Sequence, residues 1–543
     1  MPENETFDYV IVGGGSAGCV LANRLSADAG QTACLLEAGG NDNWIWFHIP
    51  VGYLFAIGNP RSDWMYRTES EPGLNNRALN YPRGKVLGGC SAINAMIYMR
   101  GQRQDYDNWR QMGLRGWSWD DVKPIFRRHE DHYLGAGEHH SVGGEWRIEA
   151  PRVRWAILDA FIEAAVEAGI PRTDDFNTGD NEGIAYFHVN QKSGRRWSAA
   201  RGFLKPALSR PNLKVETHAL ATRILFEGRR AVGVEFMQDG VLRRVRARRE
   251  VVISTGAVAT PPLLQRSGIG DGALLRQHGV EVLHHLPGVG ENLQDHLQLR
   301  PIYRVEGVRT LNEDYRSLVK KGNMALQYAL FRRGPLTMAP SQLGAFTRSS
   351  PEYATPNLQF HIQPLSLDKF GDEPHPFPAF TASVCNLRPT SRGSIRLRGP
   401  DPFGPPSIRL NSLSTEEDQR VAVDALRLVR RIVSMPSLWK YRPQEFKPGE
   451  SLRSDEELLQ GARDIGTTIF HPVGTAKMGI ETDPMAVTDE RLRVHGIERL
   501  RVVDASVMPT ITSGNTNSPT LMIAEKGAAM ILEDRAGRAS AAA

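Results

Sequence analysis

The chain has 543 residues, more than the roughly 250 to 300 at which a single hydrophobic core stops growing, so at least two domains are expected. Hydrophobic residues make up 41% and charged residues 23%, as in ordinary globular proteins, and a net charge of +5 is too small to indicate nucleic-acid binding. The four cysteines include no C-x-x-C pair, which excludes a dithiol redox centre of that type and argues against a disulfide framework or a zinc site.

The amino terminus shows no basic region followed by an apolar core and a cleavage site. No apolar run reaches the roughly 18 residues that span a bilayer. The sequence therefore predicts a soluble cytoplasmic protein, with peripheral membrane contact left open.

The first predicted element is a buried parallel strand at residues 7–12, which leads directly into a glycine-rich turn. Gly13, Gly15 and Gly18 have the spacing of a dinucleotide-binding fingerprint. A helix is predicted from Ala17 to residue 25, and its amino end, which includes Ser16, would face phosphate groups. The fingerprint fits FAD and NAD equally, because both carry an adenosine pyrophosphate.

A second strand is predicted at residues 32–36, and it delivers Glu37 to the same edge of the sheet. Glu37 lies 24 residues beyond Gly13, near the roughly 20 expected for the acid that binds a ribose hydroxyl pair. The irregular, aromatic stretch that follows, as far as residue 83, is typical of a segment that covers a ligand.

Another glycine-rich stretch occupies residues 83–96. Gly88 and Gly89 would let the backbone pass close to a flat or anionic group, and a helix is predicted over 91–99. Taken alone, the stretch fits equally well a loop that caps a helix.

Two histidine-containing stretches, 129–132 and 138–140, suggest a metal site at first sight. Their spacing matches no zinc or iron pattern, so solvated histidines and no metal are predicted.

The middle of the chain alternates strands and helices. The pattern predicts a helix at 161–168, a hairpin at 213–234 and a buried strand at 251–254 that leads through small residues into a helix begun by proline. Residues 300–460 favour an antiparallel sheet with one wet face, suited to the substrate side. Residues 535–543 are expected to form a disordered tail.

The chemistry is predicted to lie in two segments near the carboxyl end, 468–475 and 500–521. Ser518 is a good N-cap and Pro519 a good first residue for a helix that runs to about residue 533. Its amino end would stabilise negative charge on a reduced flavin. His471 would accept the hydroxyl proton of an alcohol, and Asn515 would hold the same hydroxyl so that hydride passes to flavin N5.

These segments together resemble the glucose-methanol-choline (GMC) flavoprotein oxidoreductases over about residues 7–531. The resemblance rests on the fingerprint with Glu37 and on residues 84–94, 256–270, 471–475 and 515–520. It implies an α/β fold in which a Rossmann-like FAD-binding domain (1–150, 215–300, 465–540) is interleaved with a substrate-binding domain built on an antiparallel sheet (151–214, 301–464).

The resemblance also implies non-covalent FAD, because members that link FAD through histidine carry that residue at the position of Ile93. Cys90 is a departure from the family pattern, because members usually carry a small Gly, Ser or Thr at this position. Besides the fingerprint glycines, Ser16, Ala17 and Glu37, the residues expected at the cofactor are Ala38, Arg83, Val86, Gly88, Gly89, Ser91, Asn94, Ala95, Met96, Ala221, Gly256, Asp504, Ala505, Asn515, Thr516 and Pro519.

The expected activity is oxidation of a primary alcohol to an aldehyde. Gln342 is interpreted as standing where choline-oxidising relatives carry an acidic residue, which disfavours a quaternary ammonium substrate. Phe470, with Trp64, Met65 and Met338 as pocket walls, would favour an aliphatic or aromatic alcohol.

Several alternatives stay open. They are a choline- or sorbose-type dehydrogenase, a lyase on the same scaffold without net redox turnover, and a nicotinamide-binding protein. The sequence does not separate oxidase from dehydrogenase, so oxygen, a quinone or another carrier remain as acceptors, and a homo-oligomer is allowed.

Overall fold

The computed structural model describes residues 5–369 and 372–542, with side chains as far as residue 537 at the carboxyl end. Within these residues the fold is mixed α/β, as expected, and contains two large sheets. No helix in the described part of the chain is long and apolar enough to cross a membrane.

The amino-terminal strand Glu5–Val12 lies inside the first sheet. It pairs in parallel with Ala33–Leu36 on one side and with Val241–Ile253 on the other. Val10 and Ile11 are fully buried, as their apolar side chains require at the centre of a parallel sheet. The strand order across the sheet is Leu213–Glu216, Ala33–Leu36, Glu5–Val12, Val241–Ile253, Arg230–Gln238 and Ala219–Glu227, with Leu500–Val502 also beside Val241–Ile253.

The parallel strands place their carboxyl ends together. Ser254 N donates to Val12 O over 2.7 Å, and Gly13 N donates to Leu36 O over 2.8 Å. Gly13, Glu37 and Ser254 therefore meet at one edge of the sheet, where open α/β folds bind ligands. The helix Ser16–Leu25 starts at this edge, one residue before the predicted start.

The second sheet is antiparallel. Its strand order is Gln444–Lys447, Ile302–Arg304, Ala379–Asn386, Leu358–Gln363, Leu343–Thr347 and Gly183–Tyr186, with Leu297–Leu299 joining Ala379–Asn386 to Thr467–Thr468. The helices Ala156–Glu167 and Glu416–Val433 pack in the core of this sheet.

The prediction that one face of this sheet is exposed to solvent was wrong for the strand Leu358–Gln363. In strand Leu358–Gln363 every side chain is buried. Leu358, Phe360 and Ile362 face the helix-covered core. Of the alternate polar residues, His361 and Gln363 line an internal cavity instead of facing bulk solvent, because successive side chains in a strand point to opposite sides.

The remaining elements are shorter or lie outside the two sheets. The further helices are Tyr53–Ala56, Arg103–Gln111, Trp119–His129, Lys205–Ala207, Gly256–Arg266, Gly272–Gln277, Leu311–Arg316, Leu318–Phe331, Pro436–Trp439, Asp455–Ile465 and Asn517–Ala542. The further strands pair as Glu130–His132 with Trp146–Ile148, Gln191–Lys192 with Arg195–Arg196, Ile269–Gly270 with His284–His285, and Ser394–Arg396 with Ser407–Arg409.

Four further predicted helices differ from the structure. Residues 91–99 form no α-helix. A 3-10 helix, Gly89–Ala92, is followed by a turn in which Asn94 Oδ1 accepts from Met96 N, and Met96 adopts a φ of +61°. The helix Gly256–Arg266 starts before its prolines, because Asp504 accepts from Gly256 N.

The last helix, Asn517–Ala542, starts two residues before Pro519 and runs past residue 533. Its backbone continues through most of the expected tail, and residue 543 lies outside the described residues. The hairpin around Glu227 and Gly228 is confirmed, and the helix Ala156–Glu167 begins five residues before its prediction. The division into two interleaved domains stays a prediction.

Candidate active site

The glycine fingerprint forms a cradle in which two chain segments touch. A Cβ on Gly18 would lie 1.8 Å from Gly13 O, so only glycine lets this helix pack on the strand. Gly89 has a φ of +51°, and a Cβ there would lie 2.7 Å from Gly15 Cα. The second glycine-rich stretch is thus pressed against the first, and both Gly15 and Gly89 line the cavity.

Glu37 also lines this cavity. Its Oε2 accepts from Gly14 N over 2.8 Å and its Oε1 accepts from Gly39 N over 2.7 Å. Burial raises the pKa of Glu37 to about 7 against these hydrogen bonds. A carboxylate held in this way is suited to accept hydrogen bonds from a hydroxyl pair, as the fingerprint predicts.

One cavity of about 520 Å³ is lined by both Glu37 and His471. Its volume falls within the range of about 300 to 1,000 Å³ typical of small-molecule and cofactor sites. The predicted residues that line it are Gly13, Gly15, Ser16, Ala17, Glu37, Ala38, Trp64, Met65, Arg83, Gly89, Asn94, Ala95, Met96, Ala221, Gly256, Phe470, His471, Asp504, Ala505, Asn515 and Thr516.

Five residues predicted to touch the cofactor do not line the cavity. Gly88 N donates to Gly14 O, and Ser91 Oγ donates to Gly88 O over 2.6 Å, so both shape the cradle from behind. Gly18 packs helix on strand as described, and Val86 lies in a small apolar core. Pro519 lies in the first turn of the last helix, where Thr516 and Asn517 reach the cavity instead.

Gln342 and Met338 also do not line the cavity, contrary to the prediction. Ser341 Oγ accepts from Gln363 Nε2 and lines the cavity, and the adjacent Gln342 donates to Val153 O on the other side of the strand. Met338 packs in the core of the second sheet. The prediction failed because it fixed the position along the chain but not which face of the strand each side chain takes.

The loop that carries His471 is held by Asp295. His471 N donates to Asp295 Oδ1 over 2.8 Å, and Tyr81 Oη donates to Asp295 Oδ2 over 2.9 Å. Phe470 adopts a φ of +68°, which is uncommon for a bulky residue, and its carbonyl accepts from Arg83 over 2.7 Å. Strained backbone of this kind persists only where its surroundings hold it, and it is concentrated at functional sites.

A histidine that sequence reasoning missed, His296, fixes the tautomer of His471. His296 Nε2 lies 3.1 Å from Leu387 O, which can only accept, so this nitrogen carries the proton. His296 Nδ1 is then an acceptor, and it lies 3.1 Å from His471 Nδ1. The proton of His471 therefore sits on Nδ1, and its Nε2 keeps a free lone pair.

Asn515 faces that lone pair. Its Nδ2 lies 3.1 Å from His471 Nε2, and its Oδ1 accepts from Gln359 Nε2 over 3.2 Å. Gln359 thus sets the orientation of the amide, so that the NH₂ group of Asn515 points towards the histidine.

Burial keeps the histidines of this site neutral. Burial lowers the pKa of His471 well below its usual value, and His296, His361 and Arg83 lower it further. Burial likewise lowers the pKa of His296 to about 4. A neutral imidazole with one free nitrogen can act as a proton acceptor.

His361 is a further residue that sequence reasoning missed. It lines the cavity and is almost fully buried. The available signal was the alternation Gln359, His361, Gln363 in one predicted strand, which was assigned to a solvated face.

Asp504 and Asn517, which line the cavity, form hydrogen bonds with residues from earlier parts of the chain. Asp504 Oδ2 accepts from Gly256 N over 2.8 Å and from Thr260 Oγ1 over 2.7 Å. Asn517 Nδ2 donates to Ser16 Oγ over 2.9 Å. The last helix therefore begins beside the glycine fingerprint.

The histidines at 129, 132 and 140 are buried, so the prediction that they are solvated was wrong. Glu130, His132 and His140 bring ligand-type atoms within 4.8 Å of one another. However, Glu130 forms a buried ion pair of 2.8 Å with Arg100, and His140 contacts both Glu130 and Asp175. This network satisfies its own charges, and the absence of a metal stays a prediction.

Comparison with known proteins agrees with this geometry. The N-terminal GMC oxidoreductase family model matches residues 7–298 and the C-terminal model matches residues 389–524. The chain is 41% identical over 530 residues to an alcohol dehydrogenase [acceptor] of Pseudomonas putida, covering 97% of this chain and 96% of the relative.

An oxygen-dependent choline dehydrogenase of Stenotrophomonas maltophilia is 42% identical over 536 residues, covering 98% and 96% of the two chains. The crystal structure of pyridoxine 4-oxidase from Mesorbium loti superposes with a TM-score of 0.87 at 33% identity, covering 96% and 98%. The fold and these similarities together show that the chain belongs to the GMC oxidoreductase family.

Proposed function

We propose that this oxidoreductase converts a primary alcohol into an aldehyde with non-covalently bound FAD. The observation that carries the proposal is the pairing of His471 and Asn515 in the same cavity that Glu37 lines. Similarity to the alcohol dehydrogenase of Pseudomonas putida supports the same reaction class.

The residues that line the cavity fit FAD. The backbone at Gly13, Gly15 and Gly89 would approach the pyrophosphate, Glu37 would bind ribose hydroxyls, and Asp504 with Thr516 would lie towards the flavin half. FAD, when bound, supplies the acceptor for the hydride that leaves the alcohol carbon. Ile93, which also lines the cavity, has no atom that could form a covalent link.

His471 is the proposed base. Its Nε2 lone pair accepts the hydroxyl proton, and the resulting imidazolium keeps its Nδ1 proton hydrogen-bonded to His296. Because burial lowers the pKa of His471, the base is in its neutral form before the alcohol binds.

Asn515 is proposed to hold the alcohol oxygen. Its NH₂ group, oriented by Gln359, donates to the oxygen as negative charge develops there, and this interaction strengthens along the reaction. The hydroxyl would contact both Asn515 Nδ2 and His471 Nε2, and it would replace the direct hydrogen bond between these two atoms.

The walls near His471 favour an apolar or aromatic alcohol. Trp64, Met65 and Phe470 line this part of the cavity, and Met65 is about half exposed at its surface. Among the described lining residues the acidic ones are Glu37 and Asp504, which hold backbone N–H groups. Neither of these two carboxylates is hydrogen-bonded to His471, and Asp295, which holds the His471 backbone, does not line the cavity, so choline is disfavoured despite the similar relatives.

An anaerobic alcohol panel tests the proposal. Purified protein with its flavin is mixed with aliphatic and aromatic primary alcohols, with choline as comparator, and visible absorbance and aldehyde are measured. We expect loss of the flavin absorbance with formation of aldehyde for the apolar alcohols. Retention of the flavin spectrum with every alcohol would contradict the proposed alcohol oxidation. Flavin that stayed on the protein after acid precipitation would contradict non-covalent binding.

A further inference from the structure

The helix Leu318–Phe331 exposes an unusual amount of apolar surface. Leu318 is 83% exposed, Val319 74%, Leu326 57%, Leu330 63% and Phe331 66%. Val319, Leu326 and Leu330 follow the spacing i, i+7 and i+11, which places them on one side of an α-helix. Scattered apolar residues are normal on protein surfaces, but a contiguous face of this kind marks an interaction site.

The helix touches the rest of the protein at its opposite side. Tyr328 is the buried residue of this fully described helix, and its hydroxyl donates to Gly194 O over 3.1 Å. The helix is anchored there and at its capped start, where Ser317 Oγ accepts from Lys320 N. The apolar side of the helix is thus held outward by the fold.

Basic residues lie at both ends of this helix, and one of them, Arg332, packs on the ring of Tyr328 at its inner side. Residues 315–334 contain five basic residues and no acidic one. Lys320 pairs with Asp314 over 3.0 Å, and Lys321 lies 3.7 Å from the centre of the Tyr315 ring. The five basic residues are Arg316, Lys320, Lys321, Arg332 and Arg333.

We infer that the helix Leu318–Phe331 docks the enzyme on an anionic lipid surface. An apolar helix face flanked by lysine and arginine is suited to lie in the interface of a bilayer, with the apolar side chains in the headgroup boundary and the basic ones at lipid phosphates. A symmetric contact with a second copy through this face is disfavoured, because an antiparallel pair of these helices would place the Lys320 and Lys321 end against Arg332 and Arg333.

A neighbouring segment extends the surface. Pro50–Gly52 packs against Pro335–Thr337, which follows the helix. Close to it, Ile45 is 61% exposed and Phe55 48%. Tyr53 and Ile57 of this segment line the cavity, so the docking surface would adjoin the cavity wall.

Vesicle flotation tests the inference on the full-length protein with its flavin. The vesicles are phosphatidylcholine alone or phosphatidylcholine with phosphatidylglycerol, at low and high salt. The variant L326E/L330E introduces charge at two exposed positions of the helix. The control variant V241E/L242E does the same at Val241 and Leu242, which are 53% and 51% exposed on a hairpin outside this surface.

We expect the wild type and V241E/L242E to float with the anionic vesicles, and to float less at high salt. The fraction of L326E/L330E bound to the same vesicles should be at least tenfold smaller, with unchanged flavin content and circular dichroism. Absence of wild-type binding to anionic vesicles, or equal binding of all three proteins, would overturn the inference. A change of oligomeric mass in L326E/L330E without vesicle binding by the wild type would show instead that the face contacts a second copy.

Discussion

His471 Nδ1 lies 3.1 Å from His296 Nδ1, and this contact couples the protonation of two buried imidazoles. His296 can accept from His471 only while His296 is neutral, and the Leu387 carbonyl holds its other nitrogen as a donor. The nitrogen of His471 without a proton is therefore the one that faces Asn515.

The acid limb of the pH profile should lie below the range of an ordinary histidine. In the proposed reaction activity requires neutral His471, and burial lowers the pKa of His471 well below 6.5. As the pH falls from 8 to 6.5, kcat/KM for a good alcohol should stay constant, and it should drop only when the pH passes through the lowered pKa. An acid limb centred at 6.5 or higher, with circular dichroism unchanged, would contradict this account.

Replacement of His296 should impair the reaction without removing the base. His296→Phe leaves the Nδ1 proton of His471 without its acceptor, and we expect kcat/KM to fall on the order of 10- to 100-fold, as for hydrogen-bond partners that orient a histidine. His296→Gln retains an acceptor oxygen and should recover part of the loss. The pH profile of kcat/KM is the decisive readout. Its acid limb should shift in the His296→Phe variant and stay near that of the wild type in the His296→Gln variant. If His296 were purely structural, kcat/KM would fall in both variants and the acid limb would not shift.

Asn515 and Gln359 should act through the same contact. Asn515→Ala removes the donor to the alcohol oxygen, so kcat should fall by about 10²- to 10³-fold, as for loss of a donor to a developing oxyanion. Gln359→Ala frees the amide to rotate and should give a smaller loss. The double variant should be no slower than Asn515→Ala alone, and additive losses would show that Gln359 acts independently.

The site was predictable from sequence where a local backbone requirement reveals it. The fingerprint glycines and Glu37 are recognisable because a close approach or a strand end demands them, and His471 and Asn515 lie in distinctive segments. His296 was missed because its role depends on long-range pairing: Leu297–Leu299 lies beside Thr467–Thr468, which brings His296 next to His471. The helix predicted at 91–99 failed because Asn94 closes a local turn that helix propensity does not include.

Contact between the two glycine-rich stretches should be necessary for cofactor retention. Gly89→Ala adds a Cβ 2.7 Å from Gly15 Cα at a φ of +51°, so it should displace the cradle and lower the flavin-to-protein ratio on purification. Gly228→Ala is the matched control, because it has a φ of +60° but open space around its Cβ. It should show the backbone strain alone, with a normal flavin content, and equal flavin loss in both variants would argue against the cradle.

The most direct test of the proposed base is rapid mixing of His471→Gln with alcohol in the absence of oxygen. Removal of a general base costs about 10² to 10⁴ in rate. We predict that the variant binds flavin as the wild type does and that alcohol reduces its visible absorbance at least 100-fold more slowly. A variant with full flavin content that is reduced at the wild-type rate would contradict the central claim that His471 accepts the hydroxyl proton.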